Sequence, residues 1–277
     1  MDKESTENLF SKEPRDCSRC HKTFSYAEVS QSCLYHPGPL YFKRDKLKGI
    51  REFRYACCCA VQDMKGCRFS NYHVWENSNP DYSEFVCTEK RLLEKQEGAC
   101  RVFALDCEMC YTRKGSELAR ITILDEFENL VYDKLVLPAE EIIDYNTEFS
   151  GITSELLENV TVRIEDVQRE LLEFIFSDTI LVGHSLENDL LALKMCHELV
   201  IDTSILFPHP HGQPKKKSLK HLAEEILKKS IQNRGSFGHD SKEDALAAFQ
   251  LVMHKLKEDL LEEKRKEIAN KKKANAK

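Results

Sequence analysis

The sequence predicts an α/β domain preceded by a small module that relies on metal for its fold. From about residue 100, short apolar runs of strand character alternate with stretches of helical spacing. Nine of the 12 cysteines lie in the first 100 of the 277 residues. That same region holds Pro14, Pro37, Pro39 and Pro80 and little periodic apolar pattern, so side chains alone could build little core there. The polar stretch Glu89 to Gly98 separates the two textures. The expected organisation is a flexible segment over 1–13, a cysteine- and histidine-rich module over 14–98, an α/β domain over 99–258 and a basic tail over 259–277.

Within the α/β part, Val102 to Leu105 reads as a strand buried on both faces. Ala119 to Leu124 and Leu130 to Leu137 are two β-rich runs separated by polar residues, the pattern of a hairpin beside that strand. Ile164, Val167, Leu171 and Ile175 have helical spacing, and Thr179 to Val182 is again a buried strand. Leu186, Leu190 and Leu193 form a helical stripe with Ser185 as N-cap. Leu199 to Ile201 is a short strand, and Leu219, Leu222, Ala223 and Ile226 mark a helix after Ser218. Ala245, Ala248, Phe249 and Val252 mark the last helix, with Ser241 and Asp244 placed as a capping box. From Lys264 the chain is lysine-rich, the mark of a frayed helix end or a basic tail.

No apolar run approaches the roughly 18 residues of a membrane span. The first ten residues lack the apolar stretch of a secretory signal, so a nuclear address is expected, with the cytoplasm as a second compartment. In a reducing compartment, many cysteines point to metal ligands or buried thiols rather than to disulfides. The net charge of −6 is unevenly spread: +1 over residues 1–100, −13 over 101–200 and +6 over 201–277. An acidic middle suits either a solvated surface or carboxylates that a cation neutralises, and a basic last third suits a polyanion or an import signal.

Asp106 and Glu108 end the first buried strand and, two residues apart, project to the same face. Like charges that close repel unless a cation bridges them. Asp189 falls in the first turn after the strand ILVGH, and Asp244 in the first turn of the last helix. Either could simply favour a helix N-terminus. As a set, however, the acids lie at strand ends and helix starts, where open α/β sheets gather ligands. His239, in the loop just before Asp244, could take a proton from water. Four carboxylates and a histidine suit two divalent ions acting on a phosphodiester, and Mg²⁺ prefers such oxygen ligands.

Three segments, ALDCEM (104–109), GHSLENDLLAL (183–193) and HDSKEDA (239–245), resemble the exonuclease motifs of the DEDDh 3′–5′ exonuclease superfamily. ELARITILD (117–125), DYNTEFSGIT (144–153), DTSILFPH (202–209) and SLKHLAEEIL (218–227) sharpen this to a resemblance to Rex/GOR-type RNA exonucleases, covering roughly residues 100 to 255. The resemblance implies a ribonuclease-H-like mixed five-stranded sheet flanked by helices. It implies two Mg²⁺ or Mn²⁺ ions held by Asp106, Glu108, Asp189 and Asp244, with His239 as general base. It implies hydrolysis of single-stranded RNA from the 3′ end to nucleoside 5′-monophosphates. DNA or very short oligonucleotides stand as the alternative substrate, and a zinc-dependent interaction scaffold as the alternative role. Met109, Phe149 and Leu186 lie in or near the motifs, where they could pack against the terminal nucleotide or belong to the core.

In the N-terminal module, Cys17-x-x-Cys20 and Cys33-x-x-His36 have the spacing of zinc half-sites, followed by Cys57, Cys58, Cys67 and His73. Eight such ligands suffice for two closed sites, and one or two structural Zn²⁺ are expected. Cys59 could replace a member of the Cys57–Cys58 pair. CLYHPGPLYF (33–42), YACC and GCRFSNYHV resemble the zinc-binding CHORD modules, although Cys17 and Cys20 stand closer than the first pair of that family. Arg44, Lys46, Lys48, Arg51 and Arg54 interleave with Tyr41, Phe42, Phe53 and Tyr55. That mixture suits RNA contacts or a surface for protein partners. Cys87, Cys100, Cys107, Cys110 and Cys196 read as ordinary thiols.

Overall fold

The computed structural model describes residues 14–44, 51–76, 81–91, 101–233, 235 and 238–275. The expected N-terminal segment 1–13, the boundary near 98, and Pro80, Cys100, Lys46, Lys48, Ser236 and Phe237 lie outside the described residues, as do the side chains of Tyr26 and 272–277. The chain divides into two compact units. The first comprises Met1–Asn79, Tyr111–Ser116 and Glu141–Asp144; the second comprises Pro80–Cys110, Glu117–Glu140 and Tyr145–Lys277. No helix among the described residues is long and apolar enough to cross a membrane.

The first unit is built of short strands. Here β1 (Arg15–Asp16) pairs with β2 (Thr23–Phe24), β3 (Cys33–Tyr35) with β6 (Arg68–Ser70), and β4 (Leu40–Arg44) with β5 (Arg51–Tyr55), all antiparallel. Its core is small: Cys17, Phe24, Val29, Cys33 and Trp75 are buried together, two of the five being cysteines. So little apolar area cannot offset the entropy of ordering some sixty residues, and the fold needs a further source of cohesion.

The second unit is an α/β layer structure. After β7 (Val86–Cys87), β8 (Val102–Thr112) and β9 (Gly115–Asp125) enter a mixed sheet, and β9 pairs antiparallel with β10 (Leu130–Leu135). The three-residue β11 (Ile142–Asp144) pairs with Tyr111 and Thr112 at the end of β8, in the part counted with the first unit. Two short helices, α1 (Thr147–Ser150) and α2 (Ser154–Leu157), precede α3 (Ile164–Leu171). Strand β12 (Ile180–Gly183) lies parallel to β8 and leads into α4 (Leu186–Ala192). After β13 (Met195–Cys196), which pairs with β7, strand β14 (Val200–Asp202) lies parallel to β12. The remaining helices are α5 (Thr203–Leu206), α6 (Leu219–Leu222), which widens into a π turn over Ala223–Leu227, and α7 (Ser241–Asn275).

The sheet order β10-β9-β8-β12-β14 gives the five expected strands, and β11 adds a short sixth. Alternation along β8 divides its side chains between two cores. Phe103, Leu105 and Cys107 face the larger core with Val167, Leu171, Leu186 and Leu193. Ala104 faces the other with Leu124, Val182, Ala245 and Phe249. Asp106 and Glu108 continue the Ala104 row, so the strand carries them onto the face that α7 covers. Helix α7 runs unbroken to Asn275, through the region expected to fray.

Candidate active site

Strand β8 presents Asp106 and Glu108 together because every second residue shares a face. Asp189 arrives from the first turn of α4, and its Oδ1 accepts a 2.8 Å hydrogen bond from the Cys107 backbone N–H between the two β8 acids. Ser185, expected to cap α4 through its hydroxyl, is in the left-handed region at φ 58° and makes no such bond. Asp202 replaces it. Its carboxylate accepts from the backbone N–H groups of Ser185 (2.9 Å), Leu186 (3.1 Å) and Ser204 (2.7 Å), so one acid at the end of β14 satisfies the starts of both α4 and α5. Gly183 lets this turn close, since a Cβ there would lie 2.5 Å from Leu186 Cδ2.

Asp244 comes from the first turn of α7. The expected Ser241–Asp244 capping box is not formed. Asp240 caps the helix by accepting from Lys242 N–H (3.1 Å), while Ser241 Oγ bonds Thr122 Oγ1 at 2.6 Å across the sheet. Freed from capping, Asp244 is buried beside the β8 acids, with Oδ2 accepting from Gln232 Nε2 (2.9 Å). Its other oxygen, Oδ1, and Glu108 Oε1 are buried with no hydrogen-bond partner among the described residues. A buried carboxylate oxygen without a donor is costly, and two on one face suit a bound cation.

The electrostatics agree. Burial first, then the charges of Asp189, Glu108 and Asp244, push the Asp106 carboxyl well above the usual carboxylate range. Burial and Asp244 raise Glu108 to about 9, against the partial relief of Arg120. Burial raises Asp189 to about 7 despite the Cys107 N–H, and Asp244 to about 7 despite Gln232. Without a cation the four acids cannot all ionise at neutral pH. Among the described residues, no three of these acids are drawn within the 4.8 Å spacing that the cysteine–histidine clusters reach.

His239 stands half-buried, with Nδ1 3.5 Å from Asp244 Oδ2. Burial and the Lys220 charge hold its pKa below the ordinary histidine value, which favours the neutral ring. Its backbone N–H donates to Phe149 O at 2.7 Å, and the Phe149 ring meets its own edge-on at 6.1 Å. Gly238 makes this approach possible: at φ +76°, its missing Cβ would fall 2.0 Å from the Gly151 nitrogen. Of the candidate substrate residues, Phe149 is 43% exposed, Met109 is half-buried against the larger core, and Leu186, at 1% exposure, lies within that core. Asp202, Gln232 and Asp240 were not singled out in the sequence. Asp202, with Ser204 two residues on, carries a legible N-cap signal; Gln232, in an irregular stretch at φ 57°, carries none.

Comparison with known proteins fits this geometry. The chain matches the exonuclease family RNase_T over residues 103–252. The chain belongs to this exonuclease family. The chain is 43% identical over 251 residues to human RNA exonuclease 1 homolog, covering 88% of this chain and 20% of that protein. It is 41% identical over 249 residues to human putative exonuclease GOR, covering 88% and 36%, so the GOR-type resemblance stands. It is 38% identical over 253 residues to RNA exonuclease 3 of Schizosaccharomyces pombe, covering 88% and 44%. The chain thus spans less than half the length of these relatives. Its fold is similar to that of the Neurospora crassa Pan2 catalytic unit, with TM-score 0.52 and 21% identity over 86% of this chain and 44% of that one.

In the first unit, all eight expected zinc ligands are brought together in two groups. Cys17, Cys20, Cys33 and His73 form one; His36, Cys57, Cys58 and Cys67 form the other; within each, the ligand atoms lie within 4.8 Å of one another. Cys33 and His36, which resemble one half-site in sequence, therefore serve different groups. Sulfur–sulfur distances are 3.7 Å for Cys17–Cys33, 3.5 Å for Cys57–Cys67 and 3.9 Å for Cys57–Cys58. Tetrahedral zinc with bonds of about 2.3 Å holds its sulfurs about 3.8 Å apart, so the donors fit that ion. Burial pushes Cys17 up, but donors including Cys20 N–H and His73 bring it down to about 6. Similarly, Gly38 N–H and His36 outweigh desolvation and draw Cys57 to about 7. Cys59 stays outside both groups.

Proposed function

We propose that the chain is a 3′–5′ exoribonuclease that releases nucleoside 5′-monophosphates from single-stranded RNA. The observation that carries the reading is the convergence of Asp106, Glu108, Asp189 and Asp244, with two buried carboxylate oxygens lacking any described donor. Two Mg²⁺ or Mn²⁺ ions held by these four acids would neutralise them and supply the charge that an attacked phosphodiester needs. The protein's own residues then do the rest. Cys107 N–H and Gln232 orient Asp189 and Asp244. His239, neutral and nearest Asp244 through Nδ1, has Nε2 left to accept a proton from the attacking water. Phe149 offers an exposed ring beside that histidine to the terminal base; Met109 packs against the larger core, and Leu186 supports the α4 turn from beneath. The names of the relatives favour RNA as the polymer. Zinc in the two cysteine–histidine groups would give the first unit the cohesion its small core lacks.

The test uses the purified chain with 5′-labelled single-stranded RNA and DNA, with and without Mg²⁺. The expected result is laddering from the RNA 3′ end that vanishes in Asp106→Asn. Cleavage of neither polymer with Mg²⁺ or Mn²⁺ overturns the reading, and equal or faster cleavage of DNA overturns its RNA preference.

A further inference from the structure

The β4–β5 hairpin of the first unit has two unlike faces. Its register pairs Leu40 with Tyr55, Tyr41 with Arg54, Phe42 with Phe53, Lys43 with Glu52, and Arg44 with Arg51. Alternation places Tyr41, Lys43, Glu52 and Arg54 on one face. There Arg54 forks onto Glu52 at 2.6 and 2.9 Å and donates to Cys59 O at 2.6 Å. The other face carries Leu40, Phe42, Arg44, Arg51, Phe53 and Tyr55 and no acid. Phe42 and Phe53 meet at 5.6 Å and 66°, yet are 51% and 49% exposed. Arg44 and Arg51, both exposed, stand directly opposite each other with no carboxylate partner among the described residues. Like charges so placed destabilise a hairpin unless an anion lies between them.

We propose that this face binds single-stranded RNA, with bases stacking on Phe42 and Phe53 and phosphates held by Arg44 and Arg51. Every base has a π face, so an exposed aromatic pair flanked by guanidinium groups suits a strand without regard to sequence. A protein partner fits less well, because docking would bury two arginines that face each other with no carboxylate partner among the described residues. The hairpin is fixed at its base. Tyr55 stacks on His36 at 3.6 Å, and Cys57 and Cys58 follow β5 directly, so the second cysteine–histidine group anchors the platform. The choice of RNA rests on the exonuclease reading, but binding by this face needs no hydrolysis.

The test measures equilibrium binding of fluorescein-labelled polyuridine to the full chain by anisotropy, with no Mg²⁺ or Mn²⁺ added and zinc retained. In the double variant Phe42→Ala/Phe53→Ala, affinity is expected to fall about tenfold or more, since stacking of a single base is already worth that much. Phe42→Trp/Phe53→Trp restores it. In Arg44→Gln/Arg51→Gln, the slope of log affinity against log salt is expected to shallow by about 1.4, the share of two phosphates on a single strand. Unchanged zinc content verifies that each variant folds. Wild-type affinity in the Phe-to-Ala variant with zinc intact overturns the proposal and leaves the face to a protein. If the chain binds polyuridine in this way but degrades no RNA, the hairpin proposal stands and the exonuclease reading fails.

Discussion

Glu108 and Asp244 each bury a carboxylate oxygen that no described residue bonds, and this sets the pH behaviour of the second unit. Burial and neighbouring acids raise Glu108 to about 9, and burial raises Asp189 and Asp244 to about 7. An acid whose folded pKa lies above its unfolded value, about 4, binds more protons in the folded state, so stability falls as pH rises between the two. With zinc retained and Mg²⁺ withheld, the urea midpoint should therefore drop from about pH 5 to pH 8. Glu108→Gln should be more stable than the parent at pH 8, by up to about 5 kcal/mol, and equal to it near pH 4. Added Mg²⁺ should flatten the profile of the parent. His239→Ala should lower kcat roughly 10²- to 10⁴-fold at saturating Mg²⁺, with zinc content unchanged; a smaller loss would mean that another group takes the proton. The acids and His239 were legible because each sits in a short local pattern at a strand end or helix start. Gln232 and Asp240 were not, because their proximity to the acids arises only when α7 docks on the sheet.

At the scale of elements, most of the second unit could be read directly. The β9–β10 hairpin, β12, α4 and β14 all follow from apolar periodicity. The helix caps could not be assigned so simply. Ser185 and Ser241 carry the composition of N-caps, but tertiary partners claim both positions: Asp202 reaches the α4 start from a neighbouring strand, and Thr122 takes the Ser241 hydroxyl. Propensity names a capping residue without knowing which acceptor folding delivers. Asp202→Ala should accordingly strip three N–H groups, two of them buried, of their acceptor and cost at least about 2 kcal/mol in urea unfolding. It should also reduce hydrolysis, because the α4 start that carries Asp189 loses its anchor. Full activity in that variant would show that Gly183 and Leu186 alone hold the turn.

For the whole molecule, the charge of −6 resolves into parts with different work. Three of the four clustered acids belong to the middle third, net −13, and the basic last third includes α7 beyond its first turn. The two units differ in what holds them. The second has three apolar clusters of its own; the first has one of five buried residues. Chelation of zinc should unfold the first unit while the second still hydrolyses a dinucleotide once Mg²⁺ is restored, and far-ultraviolet circular dichroism with a dinucleotide assay would check this. Loss of dinucleotide hydrolysis that zinc alone restores would show that the two units fold as one. That these eight side chains gather was legible from spacing, but their division into two groups was not, because Cys33-x-x-His36 looks like one half-site and strand pairing sends its members apart.

That division is nested along the chain. His36, Cys57, Cys58 and Cys67 all fall between Cys33 and His73, inside the loop that the other group must close. An inner ion would draw in most of that loop of about 40 residues before the outer ion arrives, sparing roughly 1 kcal/mol of closure entropy. The two sites would then be coupled, each ion easing closure of the loop that the other needs. Losing the inner site through Cys58→Ser should weaken zinc binding at the outer site several-fold, and Cys17→Ser should weaken the inner site by a similar factor, a reciprocal coupling that a competition titration with a chromogenic chelator would reveal.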